Sequence, residues 1–458
     1  MEGWAGVIMA AGEGRRMVSK IPKPLHKVCG KELIRYPVEL LQAMGVGRIV
    51  IVASPTTAPM IGELLGDDAD YVIQPEPLGT GDAAAWGVGA LPPDVMNLVL
   101  LGSDSPLIRL ESVRQLIDSH ESLGNQMTLL TAADMMAPDL GRIVRNETGQ
   151  VMDLIEATDW KGDQYDPTEV NAGVYCFERQ WLARCLEGLQ PTTNGEKYLT
   201  SLVSLAASEG HRVDGVASEM PEEIFGVNDR VQLAQVEAVM QWQVIERLMR
   251  SGVTVQDPAS VYIDADVAIG QDTVIRPNTT LLGRTRIGED CEIGPNSIIQ
   301  DSTIASGCRV TASMLEEATL EDGVDVGPFS HLRPGAYLES GVHIGNYVEV
   351  KESRLGQGVL AGHFSYLGDA SIGAGTNIGA GTITCNFDGK DKHRTEIGHG
   401  AFIGCDTLLV APVSVGSGAA TGAGAVVNRD VPDDLLAVGV PARIMTRKPQ
   451  IDRTDSTE

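Results

Sequence analysis

Hydrophobic positions follow three rhythms along this chain. Over residues 1–227, short apolar runs at 5–10, 48–53, 71–73, 97–101 and 127–132 alternate with segments of helical spacing. Strands that alternate with helices predict a mostly parallel α/β sheet covered on both faces. Over 228–252 the spacing changes: Leu233, Val236, Val239, Met240, Val244 and Leu248 recur as on one helix, and Ser251-Gly252 closes the run. One long linker helix is expected there. Beyond it the period becomes six, through Ile263, Ile269, Ile275, Leu281, Ile287, Ile293 and Ile299. The register resumes at Val326, Leu332, Leu338, Ile344 and Val350, at Tyr366, Ile372 and Ile378, and at Ile397, Ile403, Leu409 and Val415. Neither a helix nor an ordinary strand repeats at six, and a β-sandwich would alternate at two. One inward aliphatic per hexad predicts a left-handed parallel β-helix of hexapeptide repeats over 253–458. From Thr384 to Ile397 the interval reads as thirteen residues instead of twelve, a polar excursion holding Asn386 and Lys392.

Composition sharpens this division. All five tryptophans lie at or before Trp242, and the chain has 52 glycines with only 4% aromatic residues, as stacked small turns require. The formal charge of −27 repels phosphate backbones and anionic lipid, so neither nucleic acid nor membrane is expected as a partner. Seven scattered cysteines without a CxxC pair suit a reducing compartment. Glu2 in place of a basic leader, and no apolar run near the roughly 18 residues of a membrane span, add to the expectation of a soluble, unprocessed, cytoplasmic protein.

The first predicted strand runs into Met9-Ala10-Ala11-Gly12-Glu13-Gly14-Arg15-Arg16-Met17, with Lys23 close behind. Such glycines let backbone N–H groups approach phosphate, and the cations follow. The loop lacks the GK[ST] of a Walker A motif, and Met17 stands where a dinucleotide fingerprint has its third glycine. Asp104 ends another apolar run, where α/β sheets place ligands and where a hard cation such as Mg²⁺ would find a carboxylate; it could equally cap a helix. Asn228 by itself reads as the N-cap of the long helix. In the second half, His363 sits on a Gly-flanked turn, a suitable general base at neutral pH. Arg333, Glu349, Lys351, Asn377, Asn386 and Lys392 form a set able to bind an anionic amino sugar.

The opening string resembles the signature of the sugar nucleotidyltransferases, a Rossmann-like family. The resemblance implies that Met9, Ala10, Ala11 and Gly12 cradle UTP, that Arg16 and Lys23 meet its phosphates, and that Gln74 with Gly79 and Thr80 reads uracil. It implies Gly141, Glu156 and Asn171 for sugar and ribose, and Asp104 with Asn228 for Mg²⁺. Over the whole length the chain is similar to the bifunctional N-acetylglucosamine-1-phosphate uridyltransferase/glucosamine-1-phosphate N-acetyltransferase family. That likeness makes His363 the base for acetyl transfer from acetyl-CoA. It gives Arg333 and Lys351 to the phosphate, Tyr366, Asn377, Asn386 and Lys392 to the sugar, and Glu349 a supporting role. Ala380, Cys405 and Ala423 then line a CoA channel between subunits of a homotrimer. The implied pathway is UDP-N-acetylglucosamine synthesis for peptidoglycan and the cell wall. Departures from the family are Asp82 for His, Ser103 for Gly, Cys405 for Ser, and Val440 where relatives offer CoA an Arg, a role open to Arg443. The alternative reading is a monofunctional nucleotidyltransferase whose β-helix serves oligomerisation or regulation.

Overall fold

The computed structural model describes residues 1–133, 140–157, 159–160, 169–192 and 195–446. The chain divides into two compact units, Met1–Met240 and Gln241–Glu458.

In the first unit, strands β1 (Trp4–Ala10), β2 (Lys27–Val28), β3 (Lys31–Glu32), β4 (Ile49–Ala53), β5 (Asp70–Ile73), β6 (Asn97–Gly102), β7 (Met127–Ala133), β8 (Arg142–Arg145), β9 (Val151–Ile155), β10 (Glu169–Glu178) and β11 (Val213–Ala217) alternate with helices. The helices are α1 (Arg35–Ala43), α2 (Ala58–Leu65), α3 (Thr80–Gly89), α4 (Leu110–Leu123), α5 (Arg179–Gly188), α6 (Ser201–Ser208) and α7 (Arg230–Arg250), of which α7 belongs to this unit only as far as Met240. The main sheet has the order β11-β7-β10-β6-β1-β4-β5 and is parallel except at β10, which runs against both β6 and β7. Alternation along the strands explains why both faces are covered. On β1, Ala5 and Val7 pack with Ala84 and Val88 of α3 and Leu182 of α5, while Trp4 and Ile8 pack with Leu41 of α1 and Leu116 of α4. Each face thus buries its own apolar core.

Strands β2, β3 and β8 to β11 are not among the five predicted runs. Partial burial explains the omission of β9 and β11, which carry no continuous apolar run. Helix α7 begins at Arg230, and its cap differs from the expectation. Asp229 Oδ1 accepts from the amides of Val231 and Gln232 at 2.9 and 2.8 Å, which makes Asp229 the cap. The carboxamide oxygen of Asn228 is engaged elsewhere, by Lys23.

The second unit is the left-handed parallel β-helix. Its strands stack into three sheets of 12, 10 and 9 strands, and all ladders are parallel except the closing pair Leu435–Val438 and Arg443–Thr446. The hexads become stacked columns: Ile263 pairs with Leu281 and Leu281 with Ile299, Ile269 with Ile287, and Ile275 with Ile293. Glycines follow the aliphatics because backbones of adjacent coils touch there; a Cβ on Gly345 would lie 1.9 Å from the carbonyl oxygen of Gly362.

Two register readings need correction. Val350 pairs with Leu367, so Leu367 fills the column and Tyr366 points outward beside Glu349. That coil is one residue short. After Thr384 the next face begins with Thr395–Ile397, so thirteen residues replace six and the excursion adds seven.

Candidate functional site

At the carboxyl ends of β1 and β6, Met9 pairs with Gly102, and the amide of Ser103 donates to the carbonyl of Met9 at 3.0 Å. Two strand ends are thereby held side by side, and the Gly-rich loop and Asp104 leave them together. A cavity of about 510 Å³ opens there, lined by Met9, Ala10, Ala11, Gly12, Lys23, Gln74, Gly79, Thr80, Ser103 and Asp104. A second cavity, of about 420 Å³, is lined by Arg16, Asp104, Gly141, Glu156, Asn171 and Asn228. Asp104 belongs to both.

Lys23 reaches Asp104 because Gly14 (φ 60°) carries no side chain; a Cβ there would lie 2.8 Å from Lys23 Cβ. The Lys23 ammonium donates to Asp104 Oδ2 at 2.5 Å and to Asn228 Oδ1 at 3.2 Å. Two oxygens thus converge on one cation. Arg15 lines the first cavity and is ion-paired with Glu13, whereas Arg16 lies with the second.

The GTG turn is tied to a distant segment. Gly79 (φ 108°) would bring a Cβ to 2.6 Å from the carbonyl oxygen of Lys197, the Gly81 amide donates to that oxygen at 2.8 Å, and Leu199 N donates to Thr80 Oγ1 at 3.0 Å. Helix α3 then starts at Thr80, itself a lining residue of the first cavity. Gln74 is buried; its amide donates to Ala53 O at 2.9 Å and its Nε2 to Asp82 Oδ2 at 2.7 Å.

In the second cavity, Glu156 accepts from Thr200 Oγ1 at 2.5 Å, and Asn171 Nδ2 donates to Tyr175 Oη at 2.6 Å. The β10–β7 register shifts between Asn171 and Tyr175, which turns Asn171 out of the ladder. Gln232 and Gln235 of α7 and Tyr198 also line the cavities. Nothing in the sequence pattern singles them out. Polar positions in the first turns of a helix look like any solvated face, so only their placement marks them.

In the β-helix the anticipated residues fall into two groups. On the ten-stranded sheet, Arg333 Nη1 donates to Glu349 Oε1 at 2.8 Å, and Glu349 stacks in register with Tyr366. Asn386 donates to Tyr366 Oη at 3.3 Å and to Asp369. Gly368 is required beneath them, since a Cβ would lie 2.4 Å from Tyr366 Oη. Lys351 and Lys392 come together, and the hydrogen bond shared with Lys392, with the neighbouring positive charge, lowers the pKa of Lys351 below the ordinary lysine value. The excursion that carries Lys392 is closed by a bridge between Phe387 and Lys392. Asp388 accepts from the amides of Asp391 and Lys390 and from His393, and these bonds hold its carboxyl well below the usual range.

The second group lines a groove of about 610 Å³: His363, Asn377, Ala380, Cys405 and Ala423. His363 is exposed on the turn into Ser365–Gly368. Asn377 pairs with Leu360 and Phe402 on the twelve-stranded sheet, so it accompanies the groove rather than the Arg333 cluster. Val440 is 73% exposed, and Arg443 pairs with Val438 on the closing hairpin. All seven cysteines are free thiols. No described helix is long and apolar enough to cross a membrane.

Residues 5–220 match the family model described as nucleotidyl transferase. Along nearly the full length the chain is similar to curated relatives named bifunctional protein GlmU. The relative from Caldanaerobacter subterraneus subsp. tengcongensis is 43% identical over 442 residues, covering 96% of this chain and 95% of the relative. That from Brevibacillus brevis is 41% identical over 450 residues, covering 98% and 96%. That from Streptococcus agalactiae is 40% identical, covering 94% of each. With the α/β unit, the hexad solenoid and both groups of side chains in place, the chain belongs to the bifunctional GlmU family.

Proposed function

We propose that the chain catalyses two transfers: acetylation of glucosamine 1-phosphate by acetyl-CoA in the β-helix, and uridylyl transfer from UTP to N-acetylglucosamine 1-phosphate in the N-terminal unit. The observation that carries the reading is Asp104 lining two adjoining cavities at once. A nucleotide in one and a sugar phosphate in the other would meet at that carboxylate. Met9, Ala10, Ala11 and Gly12 offer backbone to the triphosphate, Gln74, Gly79 and Thr80 hold uracil, and Gly141, Glu156 and Asn171 hold sugar and ribose. A phosphate oxygen of the sugar then attacks the α-phosphorus as the bond to pyrophosphate breaks, which needs positioning and charge neutralisation but no protein nucleophile.

Asp104 and Asn228 fit a Mg²⁺ site, because their oxygens already converge on the Lys23 ammonium and open space on either side leaves room for phosphate oxygens. When bound, Mg²⁺ supplies positive charge to the phosphates. Lys23 and Arg16 supply the chain's own.

In the β-helix, His363 takes a proton from the sugar amine, whose nitrogen attacks the thioester carbonyl; the C–S bond breaks and the CoA thiol leaves. Arg333 and Lys351 hold the phosphate, Tyr366, Asn386 and Lys392 the sugar together with Asn377 from the groove, and Glu349 orients Arg333. Ala380, Cys405 and Ala423 line the groove for CoA. Association into a homotrimer would bring the groove of one subunit to the sugar cluster of another. We assign residues 1–227 to uridylyl transfer, 228–252 to the linker and 253–458 to acetyl transfer, the last residues from 447 lying outside those described, and place the enzyme in the cytoplasm.

The test is direct: purified protein is given acetyl-CoA with glucosamine 1-phosphate, and separately UTP with N-acetylglucosamine 1-phosphate and Mg²⁺. Thiol release in the first and pyrophosphate in the second are expected. Pyrophosphate without thiol would reduce the β-helix to a structural part.

A further inference from the structure

Asp82 is the third residue of α3 and so stands where an acidic side chain ordinarily caps or faces free amides at a helix start. It does neither by hydrogen bond. No side chain caps this helix, and the Asp82 carboxylate instead accepts a hydrogen bond from Nε2 of buried Gln74 at 2.7 Å. Gln74 lines the first cavity, and this is its one side-chain hydrogen bond among the described residues.

A glutamine carboxamide can turn over, exchanging a donor for an acceptor at nearly the same position. A carboxylate offers only acceptors, so its contact selects one of the two orientations. With Nε2 held by Asp82, Oε1 is the end left for a ligand. That choice matters to a base reader: uracil presents an N3–H donor, whereas cytosine presents a bare N3 acceptor at the same place. An acceptor aimed into the cavity favours the first and repels the second.

We propose that Asp82 is a specificity-determining positioning residue, which locks the Gln74 carboxamide with its oxygen towards the base and so sets the preference for a uracil over a cytosine nucleotide. The inference rests on the reading of this cavity as the UTP site. Asp82 itself is not a lining residue, so its effect passes through Gln74.

The experiment measures kcat/KM for UTP and for CTP, with N-acetylglucosamine 1-phosphate and Mg²⁺, in the full-length enzyme. Asp82→Asn, which preserves shape but can both donate and accept, is expected to lower the UTP/CTP ratio about tenfold, the worth of one well-placed hydrogen bond. The KM for the sugar phosphate should stay within about twofold. The double variant Gln74→Glu with Asp82→Asn reverses donor and acceptor. Its new carboxylate accepts from the introduced amide and from N3–H, and the ratio is expected to recover. A loss of packing alone could not be repaired by that exchange. An unchanged ratio in Asp82→Asn, or a double variant no better than the single, overturns the proposal. A wild-type enzyme indifferent between UTP and CTP overturns the reading of the cavity instead.

Discussion

Asp104 is gripped by Lys23, 81 positions away in the chain, and Lys23 in turn by Asn228, 205 positions away. In the β-helix, Arg333 meets Glu349 only 16 positions on, and Tyr366 stacks on Glu349 in the next coil. The first unit builds its site by closing long loops onto strand ends; the second repeats one position on successive coils. Nearest-neighbour construction confines damage to adjacent repeats, whereas a long-range constellation depends on the whole sheet. The two units also differ in how their candidate residues are placed. The two cavities of the first unit share a carboxylate within one chain, while the groove beside His363 and the Arg333 cluster belong to different sheets of the solenoid.

This contrast can be broken in order of effect. Lys23→Ala removes the cation that joins the two cavities and should lower uridylyl-transfer kcat by about 10²- to 10³-fold, the usual cost of a lost charge-stabilising donor. Acetyl transfer by the same variant should stay within about twofold, and steady-state rates of both reactions check this. A smaller effect is expected from the lysine pair. Lys351 is charged below its pKa and neutral above it, and that pKa is lowered by Lys392. The KM for glucosamine 1-phosphate should therefore rise, by several-fold, at a less alkaline pH than an ordinary lysine would give. Lys392→Ala should move that rise to higher pH, though with a weaker sugar contact at every pH. The uridylyl-transfer profile should not move.

Legibility in the sequence follows the same contrast. A strict period of six needs no partner to be recognised, and Ile263, Leu281 and Ile299 stack as their spacing implies. Where the repeat slips, the inference slips as well: spacing alone puts Tyr366 in the column that Leu367 fills, because both are apolar and adjacent. In the first unit the five apolar runs are strands, yet antiparallel β10 escapes the pattern although it lies in the middle of the sheet. Glu169, Asn171 and Gly173 break its apolar run around the bulge that serves the second cavity. Motif residues on the Gly-rich loop are legible through resemblance. Gln232 and Gln235 are not, since a polar helix face carries no signal until a cavity is seen beside it.

If two chemically independent sites occupy the two units, a crossed pair of variants must separate them. Asp104→Ala and His363→Ala are assayed side by side for both transfers, with folding checked by circular dichroism and thermal unfolding. Asp104→Ala is expected to abolish uridylyl transfer and leave acetyl transfer within about twofold, whereas His363→Ala should lower acetylation by about 10²- to 10⁴-fold and spare uridylyl transfer. Loss of both activities in either folded variant, or an unchanged acetylation rate without His363, would contradict the account.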